Sequence, residues 1–284
     1  MVLFIFKNTC QFFGCDKPSI LYPSHKISTL VKNMTFNELH NQNTPLLLCN
    51  VWDVSSAKIA ESLGYQAIGT SSAAIATHLG YNDGENMLFQ DLYQVVSRIS
   101  ANTTLPLTVD IEAGYNRNPS EVYGYIQSLL DLGIVGINIE DSIVEEERKL
   151  VDATEFAKLI VYLKDRLKEG GRKFFINVRT DTFLLNVSEA LLETEKRIKL
   201  YDEAGADGIF VPCVTKEMDI QTLVKKTKLP INVMCMPELP DFSKLKDLGV
   251  RRISMGNFLF DKIIKDLQAN LSSIQNNQSF ESVF

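Results

Sequence analysis

From Thr44 onward, short runs of apolar and β-branched residues alternate with stretches whose apolar positions recur every three or four residues. The short runs predict eight strands, at 46–50, 67–71, 107–111, 136–140, 174–179, 208–212, 231–234 and 252–255. Most are continuously apolar, which is the pattern of parallel strands buried on both faces rather than strands with one wet side. Helices are predicted between them, starting near Asp53, Asp91, Pro119, Asp152, Ser188, Thr215 and Asp241, with a last one from about Asn257. Pro119 suits a first helical turn, where a missing N–H costs nothing. Asp152 and Glu155 have the spacing of a capping box. In the repeat, Leu191, Thr194, Ile198 and Tyr201 fall on one helical face.

A short phrase recurs four times: Leu63-Gly64, Leu132-Gly133, Ala204-Gly205 and Leu248-Gly249, each followed within a few residues by a strand. Glycine there closes a helix in the left-handed conformation and turns the chain into the next strand. Eight strand–helix units in this length predict an α/β fold, a (β/α)8 TIM barrel with parallel strands, occupying residues 34–275 as one domain. A doubly wound open sheet would carry a glycine-rich phosphate loop after its first strand. Residues 49–53 contain no glycine.

Residues 1–33 show no sustained period and an apolar start interrupted by Lys7, so they are expected to be an extension without a fold of its own, with Met34 as a candidate start. Residues 276–284 read as a C-terminal tail. Composition adds exclusions. The 284 residues carry 29 Lys and Arg against 35 Asp and Glu, a net charge of −6, which disfavours a dedicated nucleic-acid binder. The five cysteines form no C-x-x-C pair, and no apolar run reaches the length of a membrane span. A cytoplasmic protein without nucleic-acid or membrane partners is expected.

In a barrel, chemistry gathers at the C-terminal strand ends. Asp110 and Glu112 are two residues apart at the end of the third strand and so share a face. Glu140 ends the fourth. Converging carboxylates repel unless a cation or protons intervene, and a hard divalent ion such as Mg2+ takes oxygen ligands of this kind. The three histidines, His25, His40 and His78, are scattered, which argues against zinc. Some of these acids can instead cap helices or pair with bases, Asp83 and Asp141 being the first candidates for that. Arg179 ends the fifth strand, where its planar guanidinium matches a carboxylate or phosphate, and the hydroxyls of 70–72 suit an anionic group.

At these residues the chain resembles the isocitrate lyase/phosphoenolpyruvate mutase superfamily. The stretches that carry the resemblance are Asn50-Val-Trp-Asp-Val-Ser-Ser-Ala57, Gly69-Thr-Ser-Ser-Ala73, Gly80-Tyr-Asn-Asp83, Asp110-Ile-Glu-Ala-Gly-Tyr115, Gly136-Ile-Asn-Ile-Glu-Asp141 and Asn177-Val-Arg-Thr-Asp181, in family order. The resemblance implies a barrel enzyme that breaks or makes a C–C or C–P bond beside the carboxylate of a small oxo- or hydroxy-acid. It implies Mg2+ near Asp110, with Asp83, Glu112 and Glu140 completing the shell directly or through water. It implies substrate contacts from Ser71, Ser72, Ala73, Asp110 and Arg179, of which Asp110 and Arg179 are the catalytic candidates. It also implies a homo-oligomer, a dimer or tetramer, in which the last helix is exchanged between subunits.

The expectation is therefore a Mg2+-dependent carbon–carbon lyase acting through an enolate. A phosphonate mutase or hydrolase, and a non-catalytic barrel that binds a small acid, are the alternatives. The loop after the fourth strand departs from the lyase pattern. Lyases of this superfamily place a catalytic cysteine there, whereas residues 142–151 contain neither cysteine nor glycine. The proton donor is left open among water, Tyr115, Arg148 and Lys149. A lid over an anionic substrate is expected to turn Arg148 and Lys149 inward and Glu145, Glu146 and Glu147 to solvent.

Overall fold

The computed structural model describes residues 34–284. The expectation for residues 1–33 lies outside the described residues. Eight parallel strands close into a barrel: β1 (Leu46–Val51), β2 (Ile68–Thr70), β3 (Leu107–Asp110), β4 (Gly136–Glu140), β7 (Phe175–Arg179), β8 (Gly208–Phe210), β9 (Ile231–Met234) and β10 (Arg252–Ser254). Closure is made by β1 on β10, with Leu46 opposite Arg252 and Leu48 opposite Ser254. All eight predicted strands are present, most of them shorter by a residue or two.

Helices α2 (Val54–Ser62), α4 (Phe89–Ser100), α5 (Pro119–Asp131), α6 (Ala153–Glu169), α7 (Ala190–Glu203), α8 (Glu217–Lys226), α9 (Phe242–Asp247) and α10 (Phe258–Asn277) lie between and after the strands. Most turn apolar residues inward: Leu92, Val96 and Ile99 from α4 and Val122, Ile126 and Leu129 from α5 are fully buried. Local signals set the boundaries. Asp53 caps α2 by accepting from Ser56 N at 2.7 Å, and Pro119 opens α5 behind an Asn118 cap. Asp152 accepts from Thr154 N and Glu155 N, so the forward half of the expected capping box forms. The four recurring glycines, Gly64, Gly133, Gly205 and Gly249, have φ of 81°, 80°, 90° and 90°, as the repeat requires.

Four features differ from the sequence reading. A helix, α3 (Ser72–Leu79), follows β2 at once, because Ser71 caps it and Gly80 (φ 85°) ends it; the run Ala73–Ala76 lacks the polar interruptions that mark an amphipathic face. A short helix, α1 (Phe36–Leu39), precedes the barrel and packs Phe36 and Leu39 on Leu46, Leu48 and Phe175 at the N-terminal strand ends. The loop at 142–150 is a β-hairpin, β5 (Ser142–Val144) and β6 (Arg148–Leu150), turning through the three glutamates. Helix α10 continues to Asn277, two residues into the expected tail, and a single 3-10 turn, Glu281–Val283, follows.

The barrel interior is not uniformly apolar. Asn177 donates to Asn138 at 2.9 Å and to Asn232 at 3.2 Å, and Arg252 donates to Asn138 at 3.2 Å. These amides tie β4, β7, β9 and β10 into one buried polar layer beneath the strand ends.

Candidate active site

The strand ends are cross-braced before any acid enters the picture. Asn50 at the end of β1 donates to Thr70 O at 3.0 Å and accepts from Met255 N and Gly256 N at 2.8 and 3.2 Å. Thr70 in turn accepts from Asp110 N at 2.9 Å. One side chain thus fixes the ends of three strands, and the next fixes the backbone that carries Asp110.

Asp110 is half-buried at the end of β3. Its Oδ2 accepts from Ser72 Oγ at 3.2 Å and its Oδ1 from Glu112 N at 3.1 Å. Burial pushes its carboxyl up, and Arg179 pulls it back. Glu112 has φ 50° and is buried; its carboxylate accepts from Tyr115 Oη at 3.0 Å and from Glu85 N. Burial, then Asp83, then Asp110 raise its carboxyl to about 7. Glu85, Glu112, Tyr115 and Cys213 all adopt left-handed φ around this mouth. Such conformations are costly for residues other than glycine and cluster where a site imposes them.

Arg179 is held rigidly. Its Nε and Nη2 donate to Asp181 at 2.6 and 3.1 Å, and its Nη1 lies 2.8 Å from Glu140 Oε2. Glu140 is raised to about 8 by burial, which outweighs the opposing pull of Arg179 and Arg148. Arg148 of the hairpin contacts Glu140, reaches Asp83 at 3.1 Å and Asp181 at 3.4 Å, and donates to Ser142 Oγ at 3.1 Å. The hairpin therefore turns Arg148 inward and all three glutamates to solvent. Lys149 does not follow the expectation: strand alternation points it outward, where it pairs with Glu145 at 2.5 Å.

Asp83, Asp110, Glu112, Glu140, Ser72 and Arg179 are thus within electrostatic or hydrogen-bonding reach of one another. Ser71 is instead committed to its helix, accepting from Ala74 N at 3.3 Å, and Ala73 is half-buried on the same turn. Asp141 has a structural role, as its residue-level reading allowed: Arg197 and Tyr201 donate to it at 2.9 and 2.7 Å. Tyr115 directs its proton at Glu112, and burial pushes its phenol above the ordinary range. Asp181 was not singled out as a site residue, although its spacing of two from Arg179 was a usable signal. Glu85, which accepts from Tyr115 N and pairs with Arg117, sits in a loop with no period to mark it.

The donor chemistry fits a hard cation. Ion pairs from Arg148 and Arg179 go to Asp83, Glu140 and Asp181, while half-buried Asp110 and buried Glu112 have none among the described residues. Beyond burial, Asp83 and Asp110 both push the Glu112 carboxyl up by like-charge repulsion, which a divalent ion would relieve. As the side chains stand, however, no three Asp, Glu, His or Cys groups among the described residues are placed to enclose an ion.

Known proteins share this architecture. The profile of the phosphoenolpyruvate phosphomutase family matches residues 36–275. An uncharacterized protein of Mycobacterium tuberculosis is 35% identical over 224 residues, covering 79% of this chain and 82% of its own. An oxaloacetate decarboxylase of Pseudomonas fluorescens is 28% identical, covering 84% and 83% of the two chains. Among solved structures, a “putative phosphonomutase” from Burkholderia cenocepacia superposes with a TM-score of 0.78 at 37% identity, covering 84% of this chain and 97% of its own. Oxaloacetate acetylhydrolase, at 19% identity, a TM-score of 0.77 and 86% coverage of both chains, shares the fold. With its family profile spanning the whole barrel, the chain belongs to the phosphoenolpyruvate phosphomutase family.

Proposed function

We propose that this chain is a Mg2+-dependent lyase that cleaves a C–C bond of a small oxo- or hydroxy-carboxylic acid through an enolate. The observation that carries the reading is a pair of carboxylates without an ion-pair partner among the described residues, half-buried Asp110 and buried Glu112, set beside Arg179 at the strand ends. The similarity to an oxaloacetate decarboxylase supports the substrate class.

Asp110 and Glu112 would hold the ion, with Asp83 and Glu140 joining directly or through water. Bound there, Mg2+ supplies positive charge where negative charge grows on the substrate. Arg179 acts as the fork for the substrate carboxylate. Asp181 and Glu140 fix its plane, so little reorganisation is left for the reaction. Ser72 orients Asp110 through its hydroxyl, and Ser71 and Ala73 shape the first turn of α3 against the substrate. The hairpin limits water at the mouth.

A phosphonate mutase or hydrolase is the second reading, favoured by the 37% identity to the Burkholderia protein. A non-catalytic acid-binding barrel is the third. One panel separates them: oxaloacetate, a methylisocitrate-like acid and phosphonopyruvate, each with and without Mg2+. Metal-dependent pyruvate or oxalate release supports the lyase, phosphate or phosphoenolpyruvate formation supports the second reading, and binding of all three without turnover supports the third.

We place the enzyme in the cytoplasm as a homo-oligomer. Cys49, Cys213 and Cys235 are free thiols, and no helix among the described residues is long and apolar enough to cross a membrane. Leu259, Ile263, Leu267 and Leu271 recur every four residues on α10 and are 43–57% exposed, a stripe suited to a second copy of this chain.

A further inference from the structure

Arg148 holds two of the four carboxylates proposed for the metal. Its Nη2 lies 3.1 Å from Asp83, and its Nη1 contacts Glu140 and lies 3.4 Å from Asp181. These acids come from three separate places on the chain: the loop after α3, the end of β4, and the segment after β7. Among the described residues, the one element that brings a cation to all three is the hairpin β5–β6.

The hairpin is seated as well as charged. A Cβ built at Gly84 would come within 2.6 Å of Val144 Cγ2, so the hairpin lies directly on the backbone next to Asp83. Gly84 also has φ 95°, which fits the close approach. With the hairpin in this position, Asp83 and Glu140 point at a guanidinium, and no three acids among the described residues converge on a point that an ion could occupy.

A guanidinium and a divalent ion cannot share these oxygens. Mg2+ demands near-octahedral oxygen ligation at short distance, and two cations in one buried cluster repel. We infer that Arg148 is a built-in counter-cation that competes with a divalent metal for Asp83 and Glu140, so that metal entry and release of the hairpin are a single event. This rests on the metal centre proposed above. Arg148 then serves two ends. Without metal it neutralises buried Glu140 and Asp181 and the exposed Asp83 beside them, and on metal entry it is freed to move toward solvent or toward an anionic substrate. Val144 on Gly84 is the seat that the hairpin must leave.

The test measures metal binding, with no need for a substrate. Mg2+ affinity by calorimetry and Mn2+ affinity by electron paramagnetic resonance are compared for the full chain, Arg148→Gln, Val144→Ala and Asp110→Ala, each first checked to be folded by a cooperative melting transition. Competition predicts that Arg148→Gln binds at least tenfold tighter than the wild type. Val144→Ala, which loosens the seat and leaves every charge in place, shifts affinity in the same direction. Hydrogen exchange at residues 142–150 speeds up when Mg2+ saturates the wild type. Equal or weaker binding by Arg148→Gln, or hairpin exchange that Mg2+ leaves unchanged or slows, overturns the inference. If Asp110→Ala binds like the wild type, or no chain binds, the metal centre itself falls and the inference with it. Asp110-dependent binding that is indifferent to Arg148 overturns only the competition.

Discussion

Ser72, the first residue of α3, donates its hydroxyl to Asp110 Oδ2 across 38 residues of chain, and Thr70 two positions earlier accepts from Asp110 N. The junction of β2 and α3 therefore holds both the backbone and the carboxylate of the acid on which the proposed chemistry turns. Asp110→Asn keeps the shape and removes the charge, so it should abolish Mg2+ binding in calorimetry while the melting temperature holds or rises, because a half-buried carboxylate is costly. Ser72→Ala removes one hydrogen bond to a charged group, worth about 1.5–3 kcal/mol. It should weaken Mg2+ binding by roughly tenfold or more, at 1.4 kcal/mol per decade. Metal affinity unchanged in both variants would detach the site from Asp110.

A second acid should behave in the opposite way. Asp141 accepts from Arg197, Tyr201 and the backbone N–H of Asp181, and lies fully buried. Asp141→Asn leaves Arg197 with only the partly exposed Glu193, 2.9 Å from its Nε, as counter-charge, and a broken buried pair costs up to about 3–5 kcal/mol. Urea unfolding should show that loss, with a much smaller one for the double variant Asp141→Leu with Arg197→Met. Equal losses in the two would mean that packing, not charge, sets the cost.

The contrast between these acids shows where sequence reading stops. The barrel was legible because each unit repeats the same physics: an apolar run, an amphipathic helix, and a glycine such as Gly133 at φ 80°. Asp110, Glu112, Glu140 and Arg179 were legible because polar residues ending apolar strands are rare and costly. Helix α3 was missed because Ala73, Ala74, Ile75 and Ala76 give no clear polar face. The hairpin was missed because its strands are three residues each, and its charges suggested a loop. Lys149 follows from the same fact: adjacent residues face together on a loop by choice, but on a strand they point apart. The Asn138, Asn177, Asn232 layer depends on register between strands far apart in sequence, and no local pattern encodes it.

Helix α10 buries Phe260 against Trp52, with ring centroids 5.2 Å apart, and leaves its stripe of four aliphatic side chains exposed. Burying a leucine-sized side chain contributes about 1.5–3 kcal/mol, so two charges in the middle of the stripe forfeit more than most weak interfaces hold. Ile263→Glu with Leu267→Glu should convert an oligomer to a monomer in size-exclusion chromatography with light scattering. The helical content should be retained, since both positions face away from the barrel. A wild type that elutes as a monomer would refute the assignment of this stripe.

His40 makes stability depend on acid. Its ring stacks on Phe175 with centroids 4.4 Å apart, its Nδ1 bonds to Phe36 O at 2.9 Å, and its Nε2 is buried without a partner. Burial first, and then the positive charge of Arg252, lower its pKa to about 3, against the pull of the Phe36 carbonyl. In the unfolded chain the ring titrates near about 6.5, so below that pH the unfolded state binds a proton that the folded state refuses. The stability His40 contributes is therefore fully present above pH of about 6.5 and is lost as the pH falls toward 3, at about 1.4 kcal/mol per unit, or about 2 kcal/mol by pH 5. Glu112 and Glu140, whose carboxyls are raised in the fold, act in the opposite sense over an overlapping range, so the wild-type profile alone does not isolate the histidine. The difference between wild type and His40→Phe does. Phenylalanine keeps an aromatic ring on Phe175 and removes the proton site. Urea unfolding at pH 7.5 and pH 5 should show the wild type losing about 2 kcal/mol more than the variant between those two pH values. Parallel losses in the two proteins would show that His40 is protonated in the fold and that its ring is solvated.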